Sequence, residues 1–151
     1  MNICMVKIGA KMNNPPIVVV DADAIVAQAS PGDNLHVKAV HIAEKLTRLN
    51  AQVLYPTTAI TEATTHIQRV LSSGATAYGT AVAFTNPNVS VVEVNQETIK
   101  HAIQFFGPTT SKKNTLYDCI VAAVAEEYKA DVIFSFDSFY KKKGFKLASE
   151  L

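Results

Sequence analysis

Two short apolar runs in this sequence end directly in an aspartate. Residues 17–20 read IVVV before Asp21, and residues 132–136 read VIFSF before Asp137. Runs of this length and composition predict buried strands, and stretches with helical periodicity separate them. Strands that alternate with helices form a parallel sheet with helices on both faces. Both aspartates are therefore expected at the carboxyl edge of the sheet, where open α/β sheets bind ligands.

The rest of the chain is consistent with one domain of this α/β class. It has 151 residues, of which 48% are hydrophobic and 18% charged, so it can bury one core. Helices are predicted at 23–29, 35–49, 58–71, 75–84, 97–106 and 115–128, and further strands at 53–55, 89–94 and 145–148. The helix at 115–128 is apolar almost all round, which predicts a central position. We assign residues 1–16 to an irregular N-terminal extension and residues 17–151 to the domain.

Charge and cysteine content bear on partners and location. The formal net charge is +1, so any basic surface must be local. Cys4 and Cys119 are poorly placed for a disulfide, and two unpaired thiols suit a reducing cytoplasm. The apolar runs are shorter than a membrane span, and residues 1–11 lack the apolar segment of a signal peptide. We therefore expect a cytoplasmic protein without a membrane partner.

Three carboxylates are expected to meet at the carboxyl edge. Asp118 lies in the first turn of the predicted central helix, whose N-terminus faces the same edge as Asp21 and Asp137. Carboxylates that are brought together repel one another, and a cation favours their ionised form. Oxygen ligands of this kind suit Mg²⁺ or Mn²⁺. The pattern therefore indicates a metal site.

Each of these acidic residues also has a purely structural explanation. Asp21 or Asp23 would serve as the N-cap of the helix that follows, and Asp137 would cap a turn. Asp118 lies three residues after Thr115, which is the spacing of a capping box. These separate roles do not explain why three acids share one edge of the sheet.

Glu62 and the basic residues are less specific signals. Glu62 shares a predicted helix face with His66 and Arg69, and such a face is ordinarily solvated. Lysines flank the helix of Asp118 and follow Asp137, namely Lys112, Lys113, Lys141, Lys142, Lys143 and Lys146.

The order of these segments resembles the PIN-domain family, including VapC-type toxins. The chain contains, in order, VVVDADAIVA, TTAITEATTH and TLYDCIVAAVAEEYKADVIFSFDSFYKKKGFKLA. Members of the family have a strand that ends in Asp, a helix that bears Glu, a helix that begins with Asp and a strand that ends in Thr/Ser-x-Asp-x-x-Phe. The matching positions here are Asp21, Glu62, Asp118, and Ser135 with Asp137 and Phe139.

The resemblance implies a fold and a set of site residues. The family fold is a Rossmann-like, three-layer α/β/α domain with a central parallel sheet of about five strands in the order 3-2-1-4-5. By this resemblance, Asp23 and Ser135 are auxiliary site residues. The expected catalytic residues are Asp21, Glu62, Asp118 and Asp137, and the expected metal ligands are Asp21, Asp118 and Asp137.

The resemblance also implies a reaction and partners. The expected activity is Mg²⁺- or Mn²⁺-dependent cleavage of single-stranded RNA by a metal-activated water. An antitoxin protein and a second copy of the chain are the expected protein partners. The residues expected to bind RNA are Arg69, Lys112, Lys113, Lys141, Lys142 and Lys143.

Two other classes of function fit parts of the sequence. VVVDADAIV also resembles haloacid-dehalogenase-like phosphotransferases, with Asp21 as nucleophile and Asp23 as acid/base, but IFSFDSF matches their later motif poorly. A Toprim-like domain is excluded by order, because its Glu precedes the Asp-x-Asp motif. A non-catalytic PIN-type module that binds RNA or protein is the second alternative.

Overall fold

Helices and strands alternate along the whole of the described chain. A computed structural model describes residues 14–109 and 111–151. The strands are β1 Ile17–Val20, β2 Gln52–Pro56, β3 Ser90–Val92 and β4 Val132–Phe134. The helices are α1 Ala22–Ala29, α2 His36–Arg48, α3 Thr57–Arg69, α4 Gly74–Ala83, α5 Gln96–Ala102, α6 Leu116–Glu127 and α7 Phe139–Lys142, with a 3₁₀ turn at Ala148–Glu150.

The described strands form one parallel sheet in the order β3-β2-β1-β4. Strand β1 pairs with β2 through Val19 and Leu54, and with β4 through Val19 and Ile133. Helices flank this sheet, so the predicted α/β/α class and the order of these strands are confirmed. The expected fifth strand at 145–148 is instead a single parallel bridge between Leu147 and Ile133, because the chain turns into the 3₁₀ helix at Ala148.

Helix α6 is the central helix that the sequence predicts. Seven consecutive residues of this helix, 119–125, are buried, including the free Cys119. It packs on β1, α3 and α5. A helix that contacts neighbours on several sides needs apolar residues all round, which explains the composition of this segment.

Some element boundaries differ from the sequence prediction. Strand β2 includes Pro56, since Pro56 pairs in register with Val92 of β3. Helix α5 ends at Ala102, earlier than the predicted residue 106. Helix α7 was not predicted; it ends before Gly144, whose φ of 92° suits a glycine at the end of a helix.

The N-terminal extension falls mostly outside the described residues. Residues 14–16 form an irregular lead into β1, and the Pro16 carbonyl accepts a hydrogen bond from Gln52 N at 2.9 Å. Residues 1–13, with Cys4, lie outside the described part of the chain. Among the described residues, none of the helices combines the length and apolarity needed to cross a bilayer.

Truncating a buried isoleucine should cost far more stability than truncating an exposed one. Ile67 of α3 is fully buried, whereas Ile103 is 58% exposed. Ile67→Ala is expected to lower the free energy of unfolding by about 2–5 kcal/mol, because it removes buried methyl groups and leaves a cavity. Ile103→Ala, the matched control, should change it by less than about 0.5 kcal/mol. Urea denaturation of both variants measures the difference, and equal losses would contradict the described packing.

Candidate active site

Asp21 is the most enclosed of the acids at the carboxyl edge of the sheet. It follows β1, which is paired on both sides, and only 4% of its surface is exposed. It is also the N-cap of α1, since its Oδ1 accepts a hydrogen bond from Ala22 N at 2.7 Å. Asp21 therefore has the helix-capping role that the sequence allowed. This role uses Oδ1, so Oδ2 can contact other groups.

A single serine hydroxyl joins two of the carboxyl groups. Ser135 Oγ lies 3.0 Å from Asp21 Oδ2 and 3.0 Å from Asp23 Oδ2. It also accepts a hydrogen bond from Asp137 N at 3.1 Å. A hydroxyl carries one proton, so it cannot donate a full hydrogen bond to both carboxylates at once. Ser135 thus contacts three of the acidic residues that the sequence predicts for the site.

Asp23 has one carboxyl oxygen satisfied and one free. Its Oδ2 accepts a hydrogen bond from Phe136 N at 2.8 Å, in addition to the contact with Ser135. Its Oδ1 is buried and has no hydrogen-bond partner among the residues that the structure describes. Leaving a buried carboxyl oxygen unpaired is costly, so this atom is a candidate ligand for a cation.

Asp118 and Asp137 both accept hydrogen bonds from the protein. Asp118 Oδ2 accepts from Thr115 N at 2.6 Å, which confirms the capping interaction at the start of α6. Asp137 Oδ1 accepts from Phe139 N at 2.8 Å, at the turn into α7, and its Oδ2 accepts from Asn114 Nδ2 at 3.1 Å. Both carboxylates have structural roles as well as a place at the acidic edge.

Glu62 approaches the other acids from α3. It is half-buried and lines a cavity of about 230 Å³ together with Asp23, Asp33 and His66. Within the described residues, its carboxylate forms no hydrogen bond or ion pair. Glu62 therefore lies on a partly enclosed surface, not on the fully solvated helix face that spacing alone would suggest.

Burial, together with the charges of neighbouring carboxylates, raises the pKa of four of these carboxyl groups. Burial, followed by the charge of Asp23, holds the pKa of Asp21 well above its usual range, and the charge of Asp118 adds to this. Burial raises the pKa of Asp23 to about 6. Burial and then the charges of Asp118 and Asp23 raise the pKa of Glu62 to about 7. Burial also raises the pKa of Asp118, with a contribution from the charge of Asp137. The five acids therefore form one electrostatically coupled set.

The donor atoms fit a hard divalent cation, although they are not gathered into a ready-made ligand shell. All five groups offer carboxylate oxygens, and a cation would relieve their repulsion. Within residues 14–109 and 111–151, no three His, Cys, Asp or Glu side chains lie close enough together to hold an ion. Asp118 already accepts a protein hydrogen bond through Oδ2, and Asp137 does so through both oxygens, so a metal would bind at their remaining lone pairs.

Tyr140 belongs to this site and was missed in the sequence. The ring is fully buried, and burial followed by the charge of Asp21 raises the pKa of its hydroxyl well above the usual value. The hydroxyl interacts with Asp21 and lowers the pKa of that carboxyl, yet the two groups do not meet hydrogen-bond geometry. The family pattern Thr/Ser-x-Asp-x-x-Phe, counted from Ser135, places its aromatic residue at Tyr140 and not at Phe139, and this spacing was the available signal.

The basic residues differ in how they are placed. Lys112 and Lys113 are exposed in the loop before α6. Lys141 forms an ion pair with Glu150 at 3.3 Å, whereas Lys143 Nζ lies 5.6 Å from the centre of the Phe139 ring. Lys142 is exposed on α7.

Arg69 lies on the same helix as Glu62, at the far end of that helix. It is exposed in the last turn of α3, seven residues beyond Glu62, or about 10.5 Å along the helix axis.

The fold and the acidic edge together define a class of protein. It is an open parallel α/β domain with carboxylates at the carboxyl ends of the neighbouring strands β1 and β4, where the connections that follow the two strands run to opposite sides of the sheet. A model of the PIN domain matches residues 18–146. The chain belongs to the PIN-domain family, a family of nucleases.

Solved structures show the same fold at low identity. VapC20 of Mycobacterium tuberculosis, a sarcin–ricin loop cleaving toxin, has a TM-score of 0.73 and 18% identity, covering 85% of this chain and 95% of that one. FitAcB from Neisseria gonorrhoeae has a TM-score of 0.62 and 13% identity, covering 89% and 99%. VapBC2 from Rickettsia felis, bound to a DNA fragment from their promoter, has a TM-score of 0.57 and 11% identity, covering 87% and 96%. No curated protein sequence matches this chain.

Replacing Glu62 by Gln should change how stability depends on pH. The pKa of Glu62 is raised from 4.5 to about 7 in the folded protein, so the folded chain holds this proton more tightly than the unfolded chain. The resulting stabilisation is full below pH 4.5 and is lost as the pH rises through about 7. We compare the free energy of unfolding of the wild type with that of Glu62→Gln, both without divalent ions. The wild-type value minus the variant value should fall as the pH rises from 4.5 to about 7. Denaturation at several pH values measures it, and a difference that rises would refute the assignment.

Proposed function

We propose that this protein is a Mg²⁺- or Mn²⁺-dependent endoribonuclease that cleaves single-stranded RNA. The observation that carries the proposal is the coupled set of five acids at the carboxyl edge of a PIN-domain sheet. Acids that raise one another's pKa are costly to keep together, and perturbed carboxyl groups of this kind are typical of functional sites. We also propose a cytoplasmic location, which suits an RNA substrate and the free thiol of Cys119.

The acids divide into ligands and a proton acceptor. Asp21 and Asp118 are the main ligands in this proposal, and Asp137 binds a second ion or positions water. A cation held by these carboxylates would supply an activated water and a Lewis acid for the scissile phosphodiester. Glu62, with a pKa of about 7, accepts a proton near neutral pH, where a general base works best. Keeping its carboxylate free of protein hydrogen bonds suits that role.

Asp23 and Ser135 are auxiliary in this scheme. The Ser135 hydroxyl orients the Asp21 carboxyl group from one side and receives the Asp137 amide from the other. The unpaired Asp23 Oδ1 is an additional oxygen for a cation or its water. Ser135 thus helps to orient Asp21 and Asp137 or a phosphate of the RNA, and Asp23 adds an oxygen beside them.

The solved relatives support a place in a toxin–antitoxin pair. VapC20 is described as a toxin, and VapBC2 was solved bound to promoter DNA. By this likeness we propose that the chain is the toxin of such a pair, with an antitoxin protein as its partner and a second copy of itself as a further one. The family match also favours this proposal over a haloacid-dehalogenase-like phosphotransferase.

A non-catalytic PIN-type binding module is the second candidate. One observation favours it: Asp118 and Asp137 use carboxylate oxygens for protein hydrogen bonds, and the described side chains do not form a ready-made metal shell. A binding module would hold RNA or protein at the same edge without cutting. The two candidates therefore differ in their response to metal.

Asp118→Asn should abolish RNA cleavage while leaving the fold intact. The amide oxygen can still accept the hydrogen bond from Thr115 N, so we expect the free energy of unfolding without metal to change by less than about 1 kcal/mol. Mg²⁺ or Mn²⁺ should raise the Tm of the wild type, because a ligand of the folded state stabilises it, and should raise that of the variant less. Thermal unfolding and cleavage of a single-stranded RNA measure the two effects.

Asp131→Asn is the matched control for this test. The Asp131 carboxylate accepts a hydrogen bond from Ile17 N at 2.7 Å, at the opposite edge of the sheet. It should therefore retain both cleavage and the metal effect. A wild type whose Tm ignores both metals, or an Asp118→Asn variant that still cuts RNA, would favour the binding module.

Removing two lysines of α7 should flatten the salt dependence of RNA binding. Lys142→Ala with Lys143→Ala is expected to reduce the slope of log K against log salt by about 1.4, at about 0.7 for each lost phosphate contact with a single strand. The effect of metal on Tm should stay the same. Lys141→Ala is the matched control, because Lys141 is already paired with Glu150. Filter binding over a salt series tests this. An unchanged slope would mean that RNA binds elsewhere, and Arg69 would be tested next.

A further inference from the structure

A second cavity lies directly beside the acidic edge. It has a volume of about 350 Å³ and lies between the end of α5, the loop before α6 and helix α7. We call it the α7 pocket, and its lining includes Phe105, Ser111, Asn114, Phe139, Lys142 and Lys143. A pocket of this size can hold one small organic ligand.

One side chain connects the α7 pocket to the candidate catalytic acids. Asn114 lines the pocket, and its Nδ2 donates to Asp137 Oδ2 at 3.1 Å. The Asp137 carboxylate also anchors the start of α7 through Phe139 N at 2.8 Å. A ligand in the pocket would therefore lie one residue away from the acid that we assign to the second ion or to water.

The walls of the pocket combine aromatic and polar groups. Phe105 is partly buried and packs on Phe145, with ring centres 5.9 Å apart, so its ring is held in place. Phe139 is buried apart from 7% of its surface. Ser111 and Asn114 add a hydroxyl and an amide. Aromatic rings with hydrogen-bonding side chains are the means by which proteins hold unstacked RNA bases.

Two cations lie at the same pocket without an acidic partner. Within the described residues, neither Lys142 nor Lys143 forms an ion pair, in contrast to Lys141. Lys143 Nζ lies 5.6 Å from the centre of the Phe139 ring, so cation and aromatic surface are adjacent. An inorganic anion would use the lysines but not the aromatic rings, and an uncharged aromatic ligand would use the rings but not the lysines. A nucleotide uses both.

We infer that the α7 pocket binds one nucleotide of single-stranded RNA, next to the phosphodiester that the acidic residues cleave. Its base lies against Phe105, its edge is read by Asn114 and Ser111, and its phosphate is held by Lys142 and Lys143. This inference rests on the proposed function and deepens it. It assigns nucleotide specificity to the residues of the α7 pocket and not to the acidic residues.

The test uses small probes that need no cleavage. The full-length wild type is titrated with AMP, GMP, CMP and UMP, and with ribose 5-phosphate as the probe without a base, while amide shifts are followed by NMR. Stacking of a base is worth about 1–3 kcal/mol, so at least one nucleotide should bind about 5- to 150-fold more tightly than ribose 5-phosphate. The shifts should centre on Ser111 and Asn114.

Variants separate the base from the phosphate. Phe105→Leu keeps an apolar side chain but removes the aromatic face, and it should bring nucleotide affinity close to that of ribose 5-phosphate. Lys142→Gln with Lys143→Gln should weaken both probes. Phe106→Leu, the matched control, changes a neighbouring phenylalanine that does not line this pocket and should have no effect. Thermal unfolding of each variant confirms that it is folded.

Some outcomes would overturn the inference. Nucleotides that bind no better than ribose 5-phosphate, shifts that centre elsewhere, or an unaltered preference in Phe105→Leu would each do so, and the pocket would then be open to a peptide ligand. RNA cleavage is assayed separately on the wild type. Cleavage without nucleotide binding in the pocket refutes the pocket alone, whereas nucleotide binding without cleavage refutes the nuclease and the placement beside a scissile bond.

Discussion

Strand β1 is hydrogen-bonded on both sides, and the arrangement of the site depends on this pairing. Because β1 lies between β2 and β4, the residue that follows it has little contact with water, and that residue is Asp21. Ser135 and Asp137 follow β4, and α6 and α3 bring Asp118 and Glu62 to the same edge. The parallel sheet therefore forces together charged groups that would otherwise stay apart.

This crowding sets stability against function. Burial, and after it the negative charge of neighbouring carboxylates, raises the pKa values of Asp21, Asp23, Glu62 and Asp118. The protein offsets part of the cost with backbone amides, such as Ala22 N at Asp21 and Phe136 N at Asp23, and with the Ser135 hydroxyl. A cation would offset more of it, so the same repulsion that weakens the fold favours metal binding.

Much of this arrangement could be read from local sequence patterns. Alternating strands and helices fixed the sheet and thus the edge reached by Asp21 and Asp118, and the Thr115 spacing indicated the helix cap. The spacing of the family pattern indicated an aromatic residue at position 140, but the approach of the Tyr140 hydroxyl to Asp21 depends on the packing of α7. The contact between Asn114 and Asp137 could not be predicted either. The loop amide of Asn114 reaches this carboxylate only when the tertiary structure brings α6 and α7 together.

The contrast between Asp118 and Glu62 has a consequence for tracing nuclease activity through evolution. Asp118 caps a helix, so selection for folding alone would preserve it in a descendant that no longer cuts RNA. Glu62 forms no hydrogen bond within the described residues, and burial destabilises its ionised carboxylate. Drift would replace such a residue soon after catalysis ceased to matter. Among homologues, a retained glutamate at this helix position is thus better evidence of a working enzyme than the aspartates around it.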